Sequence, residues 1–371
     1  MLKIINPATE ALIKEIETDT ESSVSEKFTR AKKGQSAWSE IPLTERIAKI
    51  KKFRDLISQQ KEKLAAVLTS EVGKSLKQST NEINGFLGRV DFFIEKSATT
   101  LADENVFQDA GLTERISHEP LGVIANISAW NYPYLVGSNV FIPALIAGNA
   151  VLYKPSEFAT LTGLEISRCL HEAGIPKDVF IPVIGTGTIG AELLKLPING
   201  VFFTGSYATG VKIAKAAAEK LIKVQLELGG KDPAYIAEDA DPKAAAEATA
   251  DGAMYNTGQS CCSVERIYVH QKIYEPFMDS FVKTVRDFVT GDPLNEKTYI
   301  GPLTREAQIA VLERQVKDAV AKGAKLLCGG KRVAGKGNFF EPTVLTNVNH
   351  TMDVMREESF GPIIGILKVE S

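Results

Sequence analysis

The chain has 371 residues, of which 44% are hydrophobic and 24% are charged. These proportions are typical of a folded protein of roughly two to three domains, and they exclude a disordered chain, a collagen-like fibre and a small disulfide scaffold. The formal net charge of −3 gives no reason to expect nucleic acid or an anionic membrane as a partner. A chain with no bilayer-length apolar run, no secretory signal and only four cysteines is expected to be a reduced, cytoplasmic protein.

The first hundred residues are predicted to be mainly helical. Ser23 and Glu26 have the spacing of a capping box, and apolar residues follow them at helical intervals. A second helix is expected at 44–60, and one or two more at 64–93. The polar segment 105–122 alternates in hydrophobicity, which indicates a hairpin that leaves the main body.

Short apolar runs and helix-like segments then alternate along the chain. Strands are expected at 122–127, 150–153, 179–184, 201–203 and 224–226, with helices at 134–147, 160–173, 189–196 and 207–220 between them. Strands that are apolar throughout and separated by helices predict a parallel sheet covered on both faces. Such sheets bind ligands at the carboxyl ends of their strands.

A second α/β series follows Gly229-Gly230, where we place a domain boundary. It comprises strands at 235–236, 266–270 and 325–327, and helices at 243–255, 274–290 and 305–322. The predicted fold class is therefore α/β. The predicted domains are 1–102 with 121–229, the hairpin 103–120, and a second domain over 230–371.

Two glycine-containing turns are candidates for phosphate binding. The run 185–190 has the pattern G-x-G-x-x-G between a strand and a helix, but no acidic residue closes the next strand to hold a ribose. It is therefore either a nucleotide loop or a plain strand-to-helix turn. Gly205-Ser206 at a helix start offers backbone N–H groups to a pyrophosphate, or is an ordinary serine N-cap.

Two pairs of side chains are candidates for a functional role, and each also has a purely structural explanation. Lys154 and Glu157 follow a strand, and they would hold ribose hydroxyls or form a surface ion pair. Because the Glu157 carboxylate would repel a 2′-phosphate, it favours NAD over NADP. Cys261 and Cys262 stand among small residues, as an exposed nucleophile or as ordinary buried cysteines.

Two single side chains at predicted strand ends are also candidates. Glu227 ends an apolar strand and is either a general base or a solvated turn residue. Asn131 follows another strand, where its amide would donate to an oxyanion or stabilise a turn. The four histidines lack the spacing of metal ligands, so no metal site is predicted.

The order and spacing of these motifs together resemble the NAD(P)-dependent aldehyde dehydrogenase superfamily. The resemblance covers essentially the whole chain, and its motifs lie at 130–133, 154–157, 203–206, 227–231, 258–261 and 357–362. It implies a Rossmann-type cofactor domain with a parallel sheet, a second α/β catalytic domain and a protruding oligomerisation hairpin. It further implies a homodimer or homotetramer that acts on a small aldehyde.

The resemblance also implies roles for individual residues. Cys261 would be the nucleophile, Glu227 the general base and Asn131 a donor to the oxyanion. The cofactor, NAD with NADP as the alternative, would be bound by Trp130, Lys154, Ser156, Glu157, Gly187, Gly205, Ser206, Leu228, Glu358 and Phe360. The aldehyde would pass Tyr132, Val136, Ser260 and Cys262.

The sequence stops at Ser371, soon after the motif at 357–362. Family members normally continue with the rest of the catalytic domain and a final strand, so the resemblance implies a domain that is incomplete at its carboxyl end. Three hypotheses follow: an active hydrolytic dehydrogenase, an inactive remnant that only binds cofactor or partner subunits, and an enzyme that passes the acyl group to coenzyme A. Glu227 favours hydrolysis, because acyl transfer to coenzyme A would not need that carboxylate.

Overall fold

A computed structural model describes residues 1–370 of the chain. The helices are α1 Glu21–Ser39, α2 Leu43–Gln59, α3 Lys61–Val72, α4 Leu76–Thr100, α5 Pro133–Ile146, α6 Thr160–Glu172, α7 Gly187–Lys195, α8 Tyr207–Ala218, α9 Pro242–Met254, α10 Tyr274–Asp287, α11 Ala307–Ala321 and α12 Asp353–Arg356. The strands are β1 Leu2–Ile5, β2 Leu12–Ile16, β3 Glu104–Gln108, β4 Thr113–Ile116, β5 Val123–Ile127, β6 Ala150–Lys154, β7 Phe180–Pro182, β8 Gly200–Thr204, β9 Lys223–Glu227, β10 Pro233–Ile236, β11 Arg266–His270, β12 Lys325–Cys328, β13 Thr343–Thr346 and β14 Ile363–Val369.

The chain forms two compact units, and it enters the second for the last time after Glu227. The first unit contains Met1–Lys3, Glu15–Ala65 and Thr80–Glu227, and the second contains Ile4–Lys14, Ala66–Ser79 and the residues from Leu228 onward. The sequence placed residues 1–102 in one domain. The two early segments belong instead to the second unit, where Leu76 donates its N–H to the Pro293 carbonyl and Asn338 donates to that of Pro7. Such contacts between distant residues leave no local signal in the sequence.

The first unit is built on a five-stranded parallel sheet of order β7-β6-β5-β8-β9. Every residue of the central strands β5 and β6 is buried, as their apolar sequences predict. At the sheet's edge, β9 alternates between exposed and half-buried residues. The predicted strands and helices from residue 122 to 227 are all present, so the α/β fold class is confirmed for this region.

The start of α1 differs in detail from the prediction. The N-cap residue is Thr20, whose hydroxyl accepts the N–H of Ser23 at 3.2 Å, while the Ser23 hydroxyl accepts the N–H of Thr20 at 2.9 Å. The predicted pair of Ser23 and Glu26 was therefore wrong. Ser23 is the third helical residue and already serves as the reciprocal partner of Thr20.

The predicted hairpin is present as β3 paired antiparallel with β4. All residues of both strands are exposed, including Val106, Phe107 and Ile116. The role of this hairpin in oligomerisation stays a prediction.

The second unit has a five-stranded sheet of order β10-β11-β14-β13-β12, in which only the β12–β13 pairing is antiparallel among the described strands. The prediction missed β13 and β14. The latter occupies the middle of the sheet, and Ile364 and Ile366 pack there in a core with Phe277 and Phe281 of α10. Over residues 1–370, no helix has both the length and the hydrophobicity that crossing a bilayer requires.

Candidate active site

A strained, buried segment precedes the candidate nucleophile in the second unit. Asn256, Thr257 and Gly258 are consecutive and buried, with φ angles of 54°, 58° and 69°. The left-handed conformation costs an L-residue about 1–2 kcal/mol. Two non-glycine residues in succession keep it only where surrounding contacts determine their geometry, and such places are often functional.

Buried hydrogen bonds hold this segment in place. Asn256 donates its N–H to the side-chain oxygen of Gln78 at 3.2 Å, and the Thr257 hydroxyl donates to the Gly301 carbonyl at 3.2 Å. The amide of Gln259 donates to the Asn256 carbonyl and accepts the N–H of Thr304 at 3.0 Å. The backbone that leads to Cys261 is therefore fixed from several sides.

The loop that follows presents both cysteines at the surface of the second unit. Cys261 and Cys262 are exposed, although their neighbours Ser260 and Ser263 are buried. Ser263 donates its N–H to the Ser260 carbonyl at 3.2 Å, which closes the turn around them. Their accessibility agrees with the predicted chemistry rather than with the alternative of buried structural cysteines.

The contrast with Cys169 on α6 supports this distinction. That thiol is buried, and its burial raises the pKa to about 11. A thiol in such a position is protonated at neutral pH and behaves as a small hydrophobic side chain.

The segment that contains Glu358 lies directly against the Cys261 loop. A Cβ atom at Gly258 would overlap the carbonyl oxygen of Gly361, so only glycine allows this approach. A Cβ atom at Gly229 would likewise overlap the carboxylate of Glu358. The second unit thus brings the predicted nucleophile and the predicted cofactor residues Glu358 and Phe360 into neighbouring loops.

The carboxyl group of Glu358 has a raised pKa. Burial is the main cause, followed by the nearby negative charge of Glu265, while the backbone N–H of Gly230 acts in the opposite direction. The carboxylate is half-buried and is a suitable acceptor for hydroxyl donors of a ligand.

Glu265 is a buried carboxylate that the sequence analysis missed. It directly precedes β11, and its side chain is 5% exposed. The only available signal was a charged residue at the entrance to an apolar strand. Its carboxylate accepts hydrogen bonds from the segment that follows Glu358.

In the first unit, the predicted residues gather at the carboxyl edge of the parallel sheet. Asn131 follows β5 and is 4% exposed, Lys154 ends β6 and is 3% exposed, and Glu227 ends β9 and is exposed. Parallel strands end at one edge, so the topology itself brings these side chains to the same side of the sheet. Trp130 and Tyr132 flank Asn131 and are half-buried.

Lys154 is a buried amine beside a half-exposed carboxylate. Its Nζ lies 3.3 Å from the Pro155 carbonyl and 4.0 Å from Glu157, and burial lowers its pKa. Ser156 donates its hydroxyl to Glu157 at 3.3 Å. Because an amine and a carboxylate stand side by side here, the pair presents both a donor and an acceptor to a ribose.

Two helices begin at the same edge. Gly187 is the first residue of α7. The space beside it is open, since a Cβ atom there would meet no atom within 4 Å. Ser206 is the exposed N-cap of α8, and Gly205 donates its N–H to the Glu227 carbonyl at 3.0 Å. The N–H groups at a helix start favour phosphate oxygens, so the donor set of the first unit fits a dinucleotide.

Two predicted residues remain. Val136 is in the first turn of α5 and is half-buried, and Leu228 begins the last segment of the second unit. Within residues 1–370, no group of three or more potential metal-ligating side chains is found.

Comparison with known proteins places this geometry in a family. The sequence matches the model of the aldehyde dehydrogenase family over residues 1–371. It is 35% identical to the 3,6-anhydro-alpha-L-galactose dehydrogenase of Vibrio sp. (strain EJY3), with 100% of this chain and 78% of the relative covered. It is 32% identical to the lactaldehyde dehydrogenase of Escherichia coli (strain K12), with the same coverage of 100% and 78%.

The fold is also similar to solved structures. A 3,6-anhydro-L-galactose dehydrogenase in complex with NADP superposes with a TM-score of 0.95 at 36% identity. The match covers 100% of this chain and 79% of that protein.

Proposed function

The chain belongs to the aldehyde dehydrogenase family, and we propose that it oxidises an aldehyde to a carboxylic acid through a covalent intermediate on Cys261. Enzymes of this family use NAD(P). The observation that supports the proposal most strongly is the fixed, left-handed segment 256–258, which is buried and yet leads to an exposed thiol. Residues held in a strained backbone conformation cluster at active sites.

The first step is attack of the Cys261 thiolate on the aldehyde carbon. A carbon–sulfur bond forms, and the carbonyl electrons move to the oxygen, which becomes an oxyanion. The side-chain amide of Asn131 and the backbone N–H of Cys261 donate to this oxygen. Removal of one such donor typically lowers the rate by about 10²–10³-fold.

When bound, NAD(P) would supply a hydride acceptor beside the former aldehyde carbon, so that loss of the hydride and collapse of the oxyanion would leave a thioester on Cys261. The first unit's Lys154, Ser156, Glu157, Gly187, Gly205 and Ser206, with Trp130, would hold the adenosine and pyrophosphate part. The second unit's Leu228, Glu358 and Phe360 would hold the nicotinamide part. Glu157 favours NAD, although a relative of similar fold binds NADP.

Glu227 completes the reaction as a general base. It takes a proton from water, the water oxygen attacks the thioester carbon, and the Cys261 thiolate leaves with the electron pair of the broken carbon–sulfur bond. The exposure of Glu227 at the end of β9 is consistent with a supply of water. Hydrolysis, rather than transfer to coenzyme A, is therefore the proposed fate of the acyl group.

The proposed substrate is a small, polar aldehyde that passes Tyr132, Val136, Ser260 and Cys262. Relatives named for lactaldehyde and for an anhydro sugar act on compounds of this class. We further propose a homo-oligomer, because the hairpin of β3 and β4 exposes Val106 and Phe107 on a two-stranded edge. A cytoplasmic location is proposed because the four cysteines within residues 1–370 are free.

The test is NADH formation from NAD and a panel of aldehydes, followed by absorbance. Cys261→Ala is expected to abolish turnover, because it removes the nucleophilic sulfur. Cys328→Ala is the matched control, since this half-buried thiol lies outside the proposed site. Turnover that survives Cys261→Ala at the wild-type rate would show that the nucleophile is assigned wrongly.

A further inference from the structure

Glu265 makes an unusual set of contacts with the Glu358 segment. Its two carboxylate oxygens accept the backbone N–H groups of Ser359 and Phe360, each at 3.1 Å. Lys231 donates to the same carboxylate at 2.6 Å and to the Ser359 hydroxyl at 2.9 Å. One buried ion pair therefore forms hydrogen bonds with two consecutive peptide units and one side chain of the segment.

Stability alone does not explain this pair. The side chains of Lys231 and Glu265 are only 8% and 5% exposed, so both charges have lost most of their hydration. A buried ion pair often contributes no more to stability than well-packed apolar residues of the same size. What apolar residues could not supply is an acceptor for the buried N–H of Ser359 and the half-buried N–H of Phe360.

The backbone that Glu265 binds is itself strained. Phe360 has a φ of 48°, a left-handed conformation that a bulky residue rarely adopts. The hydrogen bonds from the N–H groups of Ser359 and Phe360 to Glu265 help to hold this conformation. The same hydrogen bonds fix the backbone next to Glu358, the residue before Ser359, whose carboxylate lies against Gly229.

Glu265 also connects this segment to the nucleophile. It follows Cys261 by four residues, at the end of the same loop and at the start of β11. A shift of its carboxylate would move Glu358 and Phe360 relative to Cys261.

We propose that Glu265, held by Lys231, is a positioning residue that fixes Glu358 and Phe360 beside the Cys261 loop and so sets the affinity for the nicotinamide part of the cofactor. The effect on the cofactor rests on the proposed function. The effect on the loop rests on the hydrogen bonds alone, and the two are measured separately.

The loop is tested by hydrogen–deuterium exchange in Glu265→Gln. An amide of the same size accepts one N–H but presents its NH₂ group to the other, so exchange of the Ser359 and Phe360 amides is expected to rise at least tenfold. Glu275→Gln is the matched control, because Glu275 pairs with Lys368 at an exposed site of the same unit. Unchanged exchange in Glu265→Gln overturns the proposal, even if the chain turns out to bind no cofactor.

The cofactor is tested by NADH titration and steady-state kinetics of the same variants. Glu265→Gln is expected to raise the Kd for NADH and the KM for NAD about tenfold, which corresponds to one lost hydrogen bond to a charged group. The kcat at saturating NAD is expected to change less than threefold. A loosened loop with an unchanged Kd overturns the positioning role.

A double variant separates positioning from folding. Glu265→Gln leaves the Lys231 charge buried without its partner, which lowers stability. Glu265→Gln with Lys231→Met removes both charges and is expected to recover the Tm but not the Kd. Recovery of both would show a purely structural pair and overturn the proposal, and this variant decides the question if the single variant fails to fold.

Discussion

The carboxyl edge of the first sheet and the Cys261 loop of the second unit position functional groups in different ways. At the sheet edge, regular parallel strands end side by side. Lys154 and Glu227 are the last residues of their strands, and Asn131 comes shortly after the end of β5. In the Cys261 loop, a left-handed segment is held by buried hydrogen bonds to residues far away in the chain. The edge is robust because the sheet forms it, whereas the loop depends on individual contacts.

This difference predicts different responses to substitution. A change at the sheet edge removes a ligand-binding group and leaves the strands intact. A change in the loop alters backbone geometry and therefore affects stability and catalysis together. Substitutions in the loop and at the sheet edge, and the pH dependence of cofactor binding, test this contrast.

Gly258→Ala is expected to have the largest effect. The new Cβ atom would overlap the Gly361 carbonyl, and the left-handed φ of 69° adds strain. We expect stability to fall by about 2 kcal/mol or more and the rate of aldehyde oxidation to fall about 10²-fold. Thermal unfolding and NADH formation measure the two quantities.

Gly88→Ala is the control for that substitution. Gly88 is in helix α4, and a Cβ atom there would meet no atom within 4 Å. Alanine is expected to stabilise the helix by about 0.5–1 kcal/mol and to leave the rate unchanged. If Gly258→Ala behaved like Gly88→Ala, the loop would not depend on its left-handed geometry.

Lys154→Met is expected to affect binding but not folding. It removes a buried amine whose burial lowers its pKa, so the charged form carries a desolvation cost that methionine avoids. The Tm is expected to stay the same or rise, while the Kd for NADH rises about tenfold through loss of a charged donor. A large fall in Tm would contradict the view that the edge is held by the strands alone.

The pH dependence of cofactor binding is expected to show the smallest effect. Burial, and then the charge of Glu265, raise the pKa of Glu358. The ionised carboxylate is the acceptor, so affinity is complete above this raised pKa and is lost as the pH falls through it. The loss is therefore expected to begin at a higher pH than for an ordinary glutamate.

Glu358→Gln tests the source of this pH dependence. The amide does not titrate, so NADH titrations of this variant are expected to lack the part of the acid loss that Glu358 causes. A profile identical to the wild type would assign the titration to another group. The same raised pKa means that ionised Glu358 slightly disfavours the folded state at neutral pH.

The first sheet could be predicted well from the sequence for a physical reason. Its strands are buried on both sides, so nearly every residue in β5 and β6 must be apolar, and this produces a local pattern. β14, of which only the first four residues are buried, was missed, as was β13 beside it. Pairing of β14 between β11 and β13 is a contact between distant residues, which no local pattern reveals.

The family, the α/β class and the residue types of the proposed chemistry could be inferred from the amino-acid sequence, because motifs such as 227–231 and 258–261 are local strings in a fixed order. The exposure of Cys261 and the contacts that hold Glu358 became visible in the folded structure. Asn256 keeps its left-handed geometry, and Phe360 its position beside Glu265, through hydrogen bonds between residues far apart in the sequence. Local propensity cannot encode such bonds, since each partner is an ordinary polar residue until the fold brings the two together.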